Sequence, residues 1–184
     1  MKRALVIIAE GSEEMETTIT VDVLRRGGVS VVLAGLDGAE AVLCSRGVRL
    51  VPDAALSDVT GPFDVIVLPG GNEGARRLAE SPAVGELLRE QEQAGRAVAA
   101  ICAAPTALVK HSVYAGYKLT GYPTVRATLS GHGELAQGPV VEDRGLITSL
   151  GPGTTFDFAL ALVSRLAGNE TADTVRKGML LPSP

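Results

Sequence analysis

The chain has no tryptophan, only three phenylalanines and three tyrosines, and just two cysteines and two histidines among 184 residues. Each scarcity excludes something. With so few aromatics, the 46% of hydrophobic residues must be largely Val, Leu, Ile and Ala. An aliphatic core of that kind suits a parallel sheet covered by helices on both faces. Cys44 and Cys102 are too few for a disulfide scaffold. Without a secretory signal they read as free thiols in a reducing compartment, the cytoplasm. His111 and His132 have no Cys/His cluster around them, which argues against a structural zinc site, and no metal or cofactor is expected. The 17 basic and 21 acidic residues leave a net charge of -4, without the footprint that nucleic acid or an anionic membrane would require. No apolar run approaches the ~20 residues of a membrane span. The amino terminus imitates a signal peptide, but its apolar stretch is short and runs into Glu10, Glu13 and Glu14 instead of a cleavage site. It reads as the first core strand.

What is present alternates. Ala4 to Ala9 is an apolar run, followed by a helical period in which Met15, Ile19 and Val23 fall on one face until Gly27-Gly28 stops it. Val29 to Leu33 and Asp64 to Leu68 read as strands, and Ala41–Leu43 with Val48–Val51 as a hairpin or bulged edge. Ser81 and Pro82 open a helix as N-cap and first helical residue, and Gly95 ends it. Arg96 to Ile101 is a buried strand, and Cys102-Ala-Ala-Pro105 leads into a helix to about Lys110. Lys118–Thr120, Val140–Val141 and Leu146–Ser149 are shorter strand candidates within and beyond a Gly-rich stretch, 112–145, that reads as an elaborated loop region. Gly151-Pro-Gly-Thr154, with Thr154 as cap, opens a last helix whose apolar positions include Phe158, Leu162 and Leu166, and Gly168 closes it. The pattern predicts one domain over 1–184: an α/β, doubly wound, mostly parallel sheet sandwiched between helices.

Sites in such sheets form beyond the carboxyl ends of the strands. Three unusual features fall there: the glutamates after the first strand, Gly70-Gly71 after the strand at 64–68, and Cys102 after the strand at 96–101. Cys102 sits at a strand-turn-helix elbow, where helix N–H groups would favour thiolate and lower its pKa. It also reads as a small buried hydrophobe, and the residues leave both readings open. Gly70-Gly71 could present backbone donors to an oxyanion, although a glycine pair alone favours a plain turn of positive φ. Glu16, in the first helical turn, is the carboxylate expected nearest the sulfur, with a pKa raised by burial. Glu13 and Glu14 read as complements of the helix dipole. A base is missing. His111 lies nine residues past Cys102, about 13 Å along a helix, and His132 reads as a flexible surface-loop residue. A Cys-His hydrolase, protease or amidotransferase is therefore disfavoured.

Several ordered segments resemble one family. Ala4 to Ala9 with Glu13-Glu-Met-Glu16, Val67-Leu-Pro-Gly-Gly-Asn72, Ala99-Ala-Ile-Cys-Ala-Ala-Pro-Thr106 and Ser149-Leu-Gly-Pro-Gly-Thr154 are similar to the ThiJ/PfpI superfamily. Val21 to Arg26 and Cys44-Ser-Arg46 place the resemblance closest to its Parkinson-disease protein seven branch. The resemblance implies a flavodoxin-like fold, a homodimer, no cofactor, and a peroxide-sensitive cysteine that oxidises to sulfinate. It gives Cys102 the reactive role and Glu16 the role of its protonated partner, with Gly71 and Ala103 as backbone donors. Cys44 becomes a secondary oxidisable cysteine, and Gly70, Asn72, Arg46, Tyr122 and Pro152 line the site. The implied activity is deglycase or glyoxalase chemistry on methylglyoxal and glycated side chains, slow because Tyr122 replaces a proton-shuttling histidine and a phenol is a poor base near neutral pH. Leu150 likewise replaces an arginine of some members. The alternative implied role is a redox sensor and redox-regulated chaperone under oxidative stress. In a eukaryote, the nucleus and mitochondrion join the cytoplasm as expected compartments.

Overall fold

The computed structural model describes residues 1–182; Ser183 and Pro184, the last two residues of the predicted domain span, lie outside the described residues. Strands are β1 (Arg3–Ile8), β2 (Ser30–Gly35), β3 (Val42–Leu43), β4 (Arg49–Leu50), β5 (Ala54–Ala55), β6 (Val65–Leu68), β7 (Ala97–Ile101), β8 (Lys118–Leu119), β9 (Glu134–Leu135), β10 (Val140–Asp143) and β11 (Leu146–Ser149). Helices are α1 (Glu14–Arg26), α2 (Asn72–Glu80), α3 (Pro82–Gln93), α4 (Thr106–His111), α5 (Arg126–Leu129), α6 (Thr155–Ala167) and α7 (Asn169–Gly178). Seven strands form one sheet in the order β10-β11-β7-β6-β1-β2-β5, and only β10 runs antiparallel to its neighbour. The flavodoxin-like, mostly parallel sandwich is therefore the fold.

The aliphatic composition explains the layering. Side chains alternate along a strand, so Ala4 and Val6 of β1 enter the core under α1, α6 and α7. Leu5 and Ile7 enter the opposite core, which Leu78, Leu88 and Leu108 of α2, α3 and α4 complete. A strand buried on both sides needs no polar alternation, and this is why β1, β6 and β7 read as continuous apolar runs. β3 and β4 pair as the hairpin expected at 41–51. The 112–145 stretch holds α5 and the small parallel pair β8–β9.

Two local expectations are corrected, and two helices are present that the sequence pattern does not predict. Helix α1 does not bury Met15, which is 51% exposed, and Ile19 is only partly covered. Its inward face is Glu16, Thr17, Thr20, Val23 and Leu24, because the first turn is rotated to bring the Glu16 carboxylate to the Gly70 amide. Thr154 occupies the N-cap position of α6 without capping it. Its hydroxyl is engaged instead by Ser149 Oγ at 2.6 Å and the Gly151 amide at 3.2 Å. Helices α2 and α7 carry no long apolar period, since each presents only a narrow stripe to the layers beneath, such as Ala75 and Leu78 or Ala172 and Val175. Ser81 caps α3 as expected, its Oγ accepting from the Val84 amide at 3.4 Å. Among the described residues no helix is long and apolar enough to cross a membrane.

Phe158 is fully buried in α6 against the sheet. Phe158→Ala is expected to cost about 3–5 kcal/mol, read from urea unfolding midpoints; a loss below about 1 kcal/mol would contradict this packing.

Candidate functional site

Strands β7, β6 and β1 are neighbours in the sheet, so the turns at their carboxyl ends meet. From β7 comes Cys102, with φ of 64°, a left-handed backbone that a non-glycine residue adopts only when its surroundings enforce it. Here both of its backbone polar groups are clamped. The Cys102 amide donates to the Ser149 carbonyl at 3.0 Å, and its carbonyl accepts from the Tyr122 amide at 2.8 Å. The side chain is buried, with the residue 8% exposed.

From β1 comes α1. Glu13 caps it, its carboxylate accepting from the Glu16 amide at 2.7 Å, in keeping with the dipole reading. Glu16 is fully buried and its Oε2 accepts from the Gly70 amide at 2.7 Å. Its Oε1 has no hydrogen-bond partner among the described residues. Burial is the main reason its pKa rises to about 7, with the Glu13 charge adding, while the Gly70 amide and Cys102 pull it down. The carboxyl therefore exchanges its proton near neutral pH.

From β6 come the glycines, and Gly71 has the positive φ that a glycine turn favours. Gly71 has φ of 82°, and a Cβ there would lie 2.2 Å from the Gly11 carbonyl oxygen. Gly70 lets the turn pass between Cys102 and Glu16: a Cβ would stand 2.5 Å from Cys102 Cβ and 2.7 Å from Glu16 Oε2. The amides of Gly71 and Ala103 both act on the sulfur and lower the thiol pKa.

The expectation of a depressed thiol pKa is overturned. The Cys102 thiol is pushed up to about 12, first by burial and then by the Glu16 charge, and the two amides offset only part of this. Helix α4 begins at Thr106, four residues past the sulfur, and runs for six residues, so its dipole acts weakly there. Thiol and carboxyl compete for one proton, and the first to leave belongs to the pair.

A cavity of about 770 Å³ opens over Cys102, lined among others by Arg46, Asn72, Gly71, Tyr122 and Pro152. Gly70, expected to line the site, is buried and does not line this cavity. Tyr122 lines one side with Gly151 packed close to it, since a Cβ on Gly151 would be 3.3 Å from the Tyr122 ring and 3.9 Å from Cys102 Sγ. Cys44 reaches the same cavity, yet it packs with Ile8 and Val42. Its thiol is pushed up to about 11 by burial and then by Glu14, Glu10 and Glu13. Glu14 does more than complement a dipole. It is buried and accepts from Ser45 Oγ at 2.9 Å and the Arg46 amide at 2.8 Å, which pins the turn carrying Arg46. Desolvation opposes this, but the hydrogen bonds prevail and hold its pKa low. Only a contact 31 residues away in sequence distinguishes it from Glu13, so no local signal could have found it.

Neither histidine lines the cavity. His111 Nε2 lies 3.2 Å from the Leu78 carbonyl. His132 is half-buried, with Nε2 2.7 Å from the Val113 carbonyl; the flexible surface residue is thus corrected to an anchored one. Among the described residues no group of three or more His, Cys, Asp or Glu could hold a metal ion.

Residues 2–165 match the DJ-1/PfpI family. The chain is 51% identical over 182 residues to protein dj-1beta of Drosophila melanogaster, covering 98% of this chain and 97% of that one. It is 44% identical over 184 residues to the glutathione-independent glyoxalase DJR-1.2 of Caenorhabditis elegans, with the same coverages. The crystal structure of Drosophila melanogaster DJ-1beta superposes with a TM-score of 0.97 at 50% identity, covering 99% of both chains.

The Glu16 carboxyl makes a pH prediction. Its folded pKa of about 7 exceeds the ordinary 4.5, so the folded state holds this proton more tightly than the unfolded one. The resulting stability is fully present below pH ~4.5 and is lost as pH rises through ~7, an effect of about 3 kcal/mol at 1.36 kcal/mol per unit. Wild type should lose roughly 2–3 kcal/mol relative to Glu16→Gln between pH 5 and 8. Urea unfolding at both pH values checks this, and parallel pH dependences would contradict it.

Proposed function

The chain belongs to the DJ-1/PfpI family, and on that premise we propose that it is a cofactor-independent, cysteine-dependent glyoxalase and deglycase acting on methylglyoxal and early glycation adducts. The observation that carries the reading is the buried Glu16–Cys102 pair, whose carboxyl titrates at about 7 beside a sulfur served by two main-chain amides. The glyoxalase name borne by the Caenorhabditis elegans relative supports it.

The high thiol pKa makes Glu16 essential to the chemistry. Its carboxylate takes the Cys102 proton as the sulfur adds to the aldehyde carbon of methylglyoxal. The new oxyanion is held by the Gly71 and Ala103 amides and protonated by the Glu16 carboxyl, giving a hemithioacetal. Glu16 then removes the proton on the former aldehyde carbon and returns one to the adjacent carbon. The first carbon is oxidised to a thioester while the ketone is reduced to an alcohol, so no external electron carrier is needed. Water cleaves the thioester, releasing lactate and the thiol. With an aminocarbinol adduct, the sulfur displaces the amine, which leaves with a proton from Glu16, and the same hemithioacetal follows.

A second reading rests on the same donors: two amides and a protonated carboxyl suit the oxygens of a sulfinate on Cys102, as in a redox sensor. The homodimer implied by the family resemblance would cover exposed Val48 and Val51, which are 48% and 69% accessible beside the hairpin; Val51→Asp should then shift the sedimentation coefficient to that of a monomer, and an unchanged value would count against that face.

Lactate formation from methylglyoxal tests the enzyme. Cys102→Ser should abolish it, and Glu16→Gln should lower kcat by roughly 10²–10⁴-fold. Wild-type turnover no faster than that of Cys102→Ser would sink the proposal, and in that case a two-oxygen mass gain on Cys102 after mild peroxide would favour the sensor.

A further inference from the structure

A second recess adjoins the cavity over Cys102. About 400 Å³ in volume, it runs between α2 and α4 and is rimmed by Val125 and Thr128. This is within the size range of small-ligand pockets. Its floor is made of small residues, Ala75, Ala79 and Ala103, all buried. Two features join it to the site. Asn72 lines both recesses, and Ala103, whose amide acts on the sulfur, forms part of the groove.

The charges in the groove are uneven. Arg76 is held by Glu73 and Glu80, so its charge and that of Glu80 are spent on each other. Lys110 at the far end is exposed and has no ion pair or hydrogen-bond partner among the described residues. The groove thus offers small apolar floor space next to the sulfur and a free cation farther on. Thr106 and Lys110 are four residues apart on α4, about 6 Å along the axis at 1.5 Å per residue. Reckoned as for His111, the eight residues from Cys102 to Lys110 span about 12 Å, which an extended chain at roughly 3.3–3.6 Å per residue covers in three to four residues.

We infer that this groove is a polypeptide subsite: it seats the main chain flanking a glycated side chain and favours an acidic residue three to four positions away, held by Lys110. The inference rests on the deglycase reading and sharpens it, making a peptide-borne adduct a better substrate than free methylglyoxal. A dicarbonyl alone reaches Cys102 through the larger cavity, which neither Thr128 nor Lys110 lines, so the two substrates separate the roles.

Two measurements test it at low salt. In the first, a fluorescent hexapeptide with unmodified arginine three residues from a glutamate is titrated into Cys102→Ser protein and into the same protein carrying Lys110→Glu or Thr128→Trp. Lys110→Glu should weaken binding roughly three- to tenfold, by loss of an attractive charge and gain of a repulsive one. Thr128→Trp, which obstructs the rim, should do so for peptides with or without the glutamate. In the second, lactate formation from methylglyoxal should stay within twofold of wild type in both variants, while release of methylglyoxal adduct from the same peptide falls three- to tenfold. Unchanged peptide binding in both variants, or equal displacement of the peptide by an equimolar amount of inorganic phosphate, would overturn the groove. Because binding is read on the Cys102→Ser background, it reports on the groove even if wild type proves inactive on methylglyoxal, a result that would sink the enzyme reading alone.

Discussion

One hydrogen bond organises the region around the sulfur: the Gly70 amide donating to Glu16 Oε2 at 2.7 Å inside the core. It ties the end of β6 to the first turn of α1 and keeps a carboxyl where water would otherwise be needed to solvate it. Its consequences reach outward. The rotation of α1 follows from it, leaving Met15 outside and Thr17 and Thr20 inside. The requirement for glycine at position 70 follows as well, since any Cβ would enter the space shared by Glu16 and Cys102. So does the coupling of the two protons, because a carboxylate held this close raises the thiol pKa.

The chemistry proposed for the site rests on a division of labour. A typical activated cysteine is a stabilised thiolate. Here the sulfur is buried beside a potential anion, so the thiol is the favoured form, and the neighbouring carboxyl is tuned toward neutrality instead. In the proposed chemistry, proton transfer therefore accompanies sulfur attack. The strained backbone of Cys102 is held by Ser149 and Tyr122, and the carboxyl and two amides already act on its sulfur, so that little reorganisation is needed when charge moves. Glu14 performs a related service at the rim by fastening the turn of Cys44, Ser45 and Arg46.

Much of this was legible beforehand. The strands β1, β6 and β7 declared themselves because both their faces are buried and their residues are uniformly apolar. Cys102, Glu16 and Gly70-Gly71 stood out because they follow those strands, and strand ends in a parallel sheet converge. Helices α2 and α7 were not legible, since each shows the core only a stripe of small or isolated apolar residues in a mostly polar sequence. The anchoring of His132 and the burial of Glu14 depend on partners 19 and 31 residues away, beyond the reach of any local pattern.

The sequence by itself determined the aliphatic core, the doubly wound order of elements, the position of Cys102 at an elbow, and the family to which the chain belongs. These rest on local periodicity and on ordered motifs, which do not depend on knowing what lies across the fold. Tertiary structure alone decided the protonation chemistry. Whether a cysteine after a strand becomes a thiolate depends on how deeply it is buried and on which charge lies beside it. Both are set by the meeting of three chain segments far apart in sequence, and here desolvation and the Glu16 carboxylate outweigh the amides that the elbow supplies.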